Sequence, residues 1–141
     1  MPKPLRIGVN ALFLIPGGVG GTEIYLRNLL AAFARSPRGH EFVVFVNRET
    51  GPDIVPSLPG FRAVQTGVMA ASRPRRIVYE QTRLPRVAWS QKIDVMFNPG
   101  FTAPRFLHCP NVTIIHDLQH HHHPEFFKRT DLLAWPSPTA R

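Results

Sequence analysis

The sequence contains little cysteine and no long apolar run, and these two absences exclude several classes of protein. Cys109 is the single cysteine among 141 residues, so no disulfide forms within the chain, as is usual in a reducing cytoplasm. No stretch approaches the roughly 18 apolar residues of a membrane-spanning helix, and the N-terminus lacks the apolar core of a secretory signal. We therefore expect a cytoplasmic protein whose membrane contact, at most, is peripheral at the inner face.

Acidic residues are also scarce, since nine Asp and Glu stand against 17 Lys and Arg, a formal net charge of +8. Several arginines fall between residues 73 and 86, where Arg73, Arg76 and Arg83 would share one face of a helix. A solvated basic face is the simpler interpretation, and attraction to an anionic membrane surface or ligand is the more specific one. We expect no nucleic-acid partner, because Tyr79 and Trp89 do not interleave with the basic residues as reading motifs require.

The length of 141 residues favours one domain and excludes an enzyme that binds its substrates between two lobes. Apolar and polar patterns alternate between strand and helix, which predicts an α/β fold: a Rossmann-like, mainly parallel sheet flanked by helices. The predicted strands span residues 5–9, 41–46, 61–66, 93–97 and 111–115. The predicted helices run from Thr22 to about residue 36 and from residue 74 to 83, where Leu84-Pro85 kinks or ends the second.

A glycine-rich loop precedes the first helix, and its backbone N–H groups suit an anion. Its glycines are Gly17, Gly18, Gly20 and Gly21, followed by Thr22, whose side chain would cap the helix. The spacing fits neither the dinucleotide fingerprint nor a Walker loop. A phosphate site and a merely flexible loop are equally compatible with this pattern.

Polar residues also follow the last two predicted strands. Asn98-Pro99-Gly100 forms a turn after strand four, and His116-Asp117 follows strand five. A histidine held in a cleft at a strand end can stabilise charge or move a proton, with the neighbouring carboxylate orienting it. The alternative is a loop pair that only ends the strand.

A histidine run continues from this point, with His116, His120–His123 and then Glu125. These side chains can bind metal, but four consecutive histidines cannot all face one ion, and Pro124 prevents a helix from aligning them. We therefore expect no metal site.

Five segments resemble glycosyltransferase family 4, in the family's order: residues 17–30, 80–85, 94–104, 112–120 and 124–127. The resemblance covers about residues 5–127 and implies a GT-B fold, in which two Rossmann-like lobes face each other across a cleft. Residues 1–127 would form the N-terminal, acceptor-side lobe. Residues 128–141 would be a tail outside the family, expected to be disordered.

The resemblance also implies a function: transfer of a sugar from a nucleotide-sugar donor to a glycan or lipid-linked acceptor, as in cell-envelope polysaccharide synthesis. Anomeric configuration would be retained, with no metal or other cofactor. The glycine loop (Gly17, Gly18, Gly20, Gly21 and Thr22) would approach the donor phosphates. His116 would lie near the reacting sugar, with Asp117 a weaker catalytic candidate, and Asn98, Pro99 and Gly100 would lie on the acceptor side.

The donor lobe of the family, with its two Glu separated by seven residues, is not among these 141 residues, so we expect the fragment to be inactive alone. Two alternatives stay open. One is a non-catalytic binding module that pairs with a separately encoded donor lobe, and the other is a His-rich metal-binding protein.

Overall fold

The computed structural model describes residues 3–116, 123–126 and 129. The described chain contains five strands, three α-helices and two short 3-10 turns. The strands are β1 (Arg6–Asn10), β2 (Glu41–Val46), β3 (Phe61–Gln65), β4 (Val95–Asn98) and β5 (Asn111–Thr113). The helices are α1 (Gly21–Arg35), α2 (Arg73–Thr82) and α3 (Leu84–Ser90), and the turns are Pro52–Ile54 and Pro124–Phe126. The strands form one sheet in the order β3-β2-β1-β4-β5, and every pair is parallel.

The helices cover both faces of the sheet. Successive residues of β2 point to opposite faces, and after its first residue all of them are buried. Val44 and Val46 pack into a core cluster with Leu26 and Leu30 of α1. The intervening residues Val43 and Phe45 join the opposite cluster, which contains residues of α3: Leu84 and Ala88. The predicted α/β class, with a parallel sheet flanked by helices, is therefore confirmed.

The second helical region breaks where the sequence predicted. α2 ends at Thr82, and a separate helix, α3, begins at Leu84, with Pro85 in its first turn, where the missing proline N–H has no intrahelical acceptor. The predicted solvated face is wrong at Arg76, which is buried on the same side of α2 as Glu80.

The chain reverses its direction of winding at β1. From β1 it crosses through α1 to β2 on one side, and from β3 it returns through α2 and α3 to β4 on the other side. In open parallel sheets, ligands bind at such a reversal, in the crevice beyond the carboxyl ends of the strands. The fold therefore predicts a site beyond Asn10 of β1 and Asn98 of β4.

The loop after β1 is folded back over the sheet by a buried side chain, Asn47. The Asn47 amide donates to the carbonyl oxygens of Leu12 at 2.9 Å and Leu14 at 2.6 Å. The Thr50 hydroxyl also donates to the Leu14 oxygen, at 2.7 Å. These bonds satisfy backbone groups that burial would otherwise leave unpaired, and they fix the intervening Phe13 below the crevice.

Within the described ranges, the longest helices are too short or too polar to cross a lipid bilayer.

Candidate functional site

His116 lies just beyond the carboxyl end of β5 and is held on three sides. Its Nε2 lies 2.7 Å from the carbonyl oxygen of Pro99, which follows β4. Tyr25 of α1 meets its ring edge-on at a centroid distance of 4.9 Å, and Phe101 does so at 5.2 Å. The structure thus brings together the predicted strand-end histidine, the predicted turn and the first helix.

The Pro99 contact fixes which nitrogen of His116 carries a hydrogen. A carbonyl oxygen can only accept, so the contact is a hydrogen bond when Nε2 donates. In the neutral ring, Nδ1 is then the nitrogen with the lone pair. His116 is therefore set up to accept a hydrogen bond from a hydroxyl through Nδ1, or to donate through both nitrogens when charged.

The turn that presents Pro99 is closely packed at one residue and has a strained backbone at the next. A Cβ on Gly100 would lie 2.2 Å from the ring of Phe13, so only glycine fits there. Phe101 adopts a left-handed backbone with φ of 67°, which is unfavourable for a side chain with a Cβ. Close packing and local strain together indicate that this turn is held in one conformation by its neighbours.

Below the turn lies a buried polar network that the sequence analysis did not identify. Asn10 donates through Nδ2 to Glu80 Oε2 and to Asn98 Oδ1, each at 3.1 Å. Thr102 donates to the same Glu80 oxygen at 3.0 Å. A signal was present, because Glu80 is a lone carboxylate on the apolar side of a predicted helix and Asn10 ends a buried strand.

The glycine loop is only partly available for an anion. Gly17 donates its N–H to Glu23 Oε2 at 2.8 Å, and Gly18 donates to the Ile15 oxygen at 2.8 Å. The later residues Gly20, Gly21 and Thr22 lie at the start of α1, where N–H groups have no intrahelical acceptor. Tyr25 lies one helical turn after Gly21, and its contact with His116 places this end of the helix near the histidine.

The predicted capping role of Thr22 is wrong. The helix begins at Gly21, with Gly20 in the capping position, and no side chain caps it. Gly20 turns the chain into the helix with a φ of 57°, and its oxygen accepts the N–H groups of Glu23 and Ile24. Thr22 is thus already inside the first turn.

The bond between Gly17 and Glu23 gives a pH-dependent signal. The Gly17 N–H, and then Arg27, lower the pKa of Glu23, so this carboxylate stays charged at neutral pH. Because the pKa is lowered on folding, the contact is present above the ordinary glutamate range and is lost as the pH falls through the lowered value. We expect the Gly17 amide shift in a proton–nitrogen NMR titration to follow that transition.

Two variants check the assignment of this titration. Glu23→Gln should abolish the low-pH step of the Gly17 amide, since the variant side chain does not titrate. Glu41→Gln removes the exposed partner of Arg6 and should leave the step unchanged. A step that persists in Glu23→Gln would contradict the contact.

Two sequence predictions fall wholly or partly outside the described residues. Asp117 lies beyond the last residue of the 3–116 range, as do His120–His122 of the histidine run. His123 is described, and its Nδ1 lies 3.0 Å from Glu125 Oε1. Within the described part of the chain, no three metal-ligating side chains cluster.

The comparison with known protein families decides the affiliation of the chain. The model of Glycosyltransferase Family 4 matches residues 19–138. The chain belongs to glycosyltransferase family 4. The five-stranded parallel sheet is consistent with one lobe of a GT-B fold. No curated protein matches the chain.

The range matched by the family 4 model includes most of the site residues described above. It begins before Gly20 and includes Asn98, Pro99, Gly100 and His116. The match also continues past residue 127 to residue 138, into a segment almost wholly outside the described residues. The boundary at residue 127 and the disorder of the tail therefore stay predictions.

Proposed function

We propose that this family 4 chain forms the acceptor-side lobe of a retaining glycosyltransferase, which moves a sugar from a nucleotide-sugar donor to a glycan or lipid-linked acceptor. One observation carries the proposal. His116 is held by the Pro99 carbonyl, just beyond the carboxyl end of β4, and contacts Tyr25 of α1, next to the point where the sheet reverses its winding. In open parallel sheets, ligands bind in crevices at such a reversal.

The proposed chemistry assigns separate roles to the two parts of this crevice. As the glycosyl bond breaks, negative charge builds on the leaving diphosphate, and N–H groups at Gly20 and Gly21 at the start of α1 would stabilise it. Positive charge builds on the sugar ring, and His116 would hydrogen-bond the sugar or the acceptor there. Asp117, next in the chain, is proposed as an auxiliary to His116. Neither step requires a metal or another cofactor.

The test is a transfer assay with nucleotide sugars and a glycan or lipid-linked acceptor. We expect no turnover from the 141 residues alone, because the donor nucleotide would be held by a second lobe of the family. Turnover should appear when a donor lobe is supplied, joined to the chain or added to it. Transfer by the 141 residues alone would contradict the assignment of these residues to one lobe.

A basic cleft beside α2 supports a second part of the proposal, peripheral contact with the inner face of the membrane. The cleft has a volume of about 630 Å³ at the carboxyl end of β3, and three arginines line it: Arg48, Arg75 and Arg83. Its apolar lining includes Met69 and Val78, both exposed, and no acidic residue lines it. Arginines around exposed apolar side chains match an anionic headgroup above acyl chains.

Vesicle binding tests this cleft. We expect the protein to sediment with phosphatidylglycerol vesicles and not with phosphatidylcholine vesicles, and to be released by salt. Changing both Arg75 and Arg83 to glutamine should weaken binding roughly 30-fold, at about 1 kcal/mol for each arginine. The matched control changes Arg35 and Arg62, which lie towards the amino end of the sheet. An equal loss of vesicle binding in both double variants would show a general charge effect and would contradict binding through this cleft.

A further inference from the structure

Glu80 is the most completely buried carboxylate among the described residues, with 1% of its surface exposed. It lies in α2, yet its hydrogen-bond partners belong to β1 and to the loop after β4: Asn10 and Thr102. Both partners donate to Oε2, while Oε1 has no hydrogen-bond partner in the described structure. Burying a carboxylate costs free energy, so its retention here calls for a role.

The contacts of Glu80 converge on the turn that holds His116. Glu80 accepts directly from Thr102, at the far end of the segment 98–102. At the near end the link is indirect: the Asn10 amide donates both to Glu80 and to Asn98. Pro99 lies between Asn98 and Thr102, and its carbonyl is the acceptor for His116 Nε2. Both ends of the segment that presents this carbonyl are thus attached to one carboxylate.

The next residue of α2 continues the attachment. Gln81 donates to the Ala103 oxygen and accepts from the Arg105 N–H, each at 2.9 Å. These bonds hold the chain after Thr102 against the same helix. These bonds act beyond the end of the turn. Within the turn, Glu80 acts together with β5, where the Ile114 N–H donates to the Asn98 oxygen at 3.0 Å, and with the packing of Gly100 on Phe13.

The charges around Glu80 agree with a fixed acceptor in a buried site. Burial raises the pKa of Glu80, while the bonds from Asn10 and Thr102 and the charge of Arg76 act in the opposite direction. Arg76, one turn earlier on α2, has a pKa lowered by burial, and its Nε has no hydrogen-bond partner in the described structure. In either protonation state Oε2 keeps lone pairs for its two donors.

We infer that Glu80 is a positioning residue for His116: it holds the Pro99 carbonyl in place through Asn10 and Thr102, and thereby fixes His116 with its hydrogen on Nε2. The inference rests on the proposed function only for its effect on turnover. The geometry of the ring is a property of the folded chain and can be measured without any substrate.

Nitrogen NMR of the neutral His116 ring, recorded at alkaline pH, provides the test. In the wild type the two ring nitrogens should have widely separated shifts, as a single tautomer gives, with the signals assigned from their loss in His116→Gln. Glu80→Ala should make the two shifts converge towards a tautomer mixture. Glu80→Gln keeps one side-chain oxygen to accept from Asn10 and Thr102, so it should retain the wild-type separation of the two shifts.

Two further variants separate positioning from general loss of stability. Phe33→Ala removes a half-buried ring that stacks on Phe42, away from the turn, and should leave the His116 shifts unchanged. Thr102→Val removes one tie to Glu80 at a partly exposed site, and it decides the matter if Glu80→Ala does not fold. We expect partial convergence in Thr102→Val.

The results that would overturn the inference are specific. His116 shifts that stay separated in folded Glu80→Ala, or in Thr102→Val when Glu80→Ala is unfolded, would exclude positioning by Glu80. Convergence in Phe33→Ala would make the effect one of stability. If the shifts behave as expected but turnover by the chain assembled with a donor lobe is unaffected by Glu80→Ala, the positioning stands and the proposed function of His116 fails.

Discussion

Replacing His116 by alanine is expected to reduce turnover by the chain assembled with a donor lobe by about 100-fold, the effect of losing one positioned hydrogen-bonding group at the transition state. The ring is held by Pro99, Tyr25 and Phe101, so its orientation is set before substrate arrives. Such a group stabilises the transition state without a reorganisation cost. The loss should therefore appear in kcat, with a smaller change in KM.

His108 provides the matched control for this experiment. It also bonds a backbone carbonyl through Nε2, at 2.9 Å, but its partner is Ile93, before the amino end of β4. His108→Ala should leave turnover near that of the wild type. Tyr25→Phe keeps the ring beside His116 and should also be mild. An unchanged rate in His116→Ala would remove His116 from the mechanism.

Gly100→Ala is expected to destabilise the folded chain by about 2 kcal/mol, in the range for inserting a group into a packed site. The new Cβ would lie 2.2 Å from Phe13 Cδ1, and Phe13 is itself fixed by the loop that Asn47 holds. Neither side can retreat freely, so the turn must shift. Urea unfolding should report the free-energy change, and Tm should fall by roughly 6 °C.

Two comparisons isolate this clash. Gly67→Ala introduces the same methyl group where no atom lies within 4 Å, so it should be neutral or slightly stabilising. In a double-mutant cycle, Phe13→Leu should recover part of the loss in Gly100→Ala, since the two sites are in direct contact. Equal stability of Gly100→Ala and Gly67→Ala would contradict the close packing of the turn.

The local patterns predicted the elements of the fold well, because each depends on neighbouring residues. The apolar residues of α1 recur at helical spacing, at Leu26, Leu29, Leu30 and Phe33, and two of them, Leu26 and Leu30, are buried. The β-branched and aromatic run at residues 41–46 identified β2 with the bounds that the structure has. Parallel strands then place their carboxyl ends at one edge, so the positions of the turn after β4 and of His116 also followed.

The polar network could not be predicted in the same way, because it joins distant parts of the chain. The bond between Asn10 and Glu80 spans 70 residues, and the one between Asn10 and Asn98 spans 88. No local pattern says which strand ends become neighbours until the strand order is known. The prediction that Thr22 caps α1 failed for a local reason. Gly20, with its positive φ, turns the chain into the helix without a side-chain cap.

The central place of β1 in the sheet also determines when the crevice can form during synthesis. The Arg6 side chain bonds Glu41, 35 residues later, but its backbone N–H bonds Asp94, 88 residues later. At about 5–20 residues per second, the roughly 50 residues from the end of β2 to the end of β4 take about 3–10 s, during which β1 has one unpaired edge. Asn10 meets Asn98 only after that interval, and His116 is made later still. Among the described residues, the crevice therefore assembles on the ribosome after the half of the sheet that contains α1 and β2.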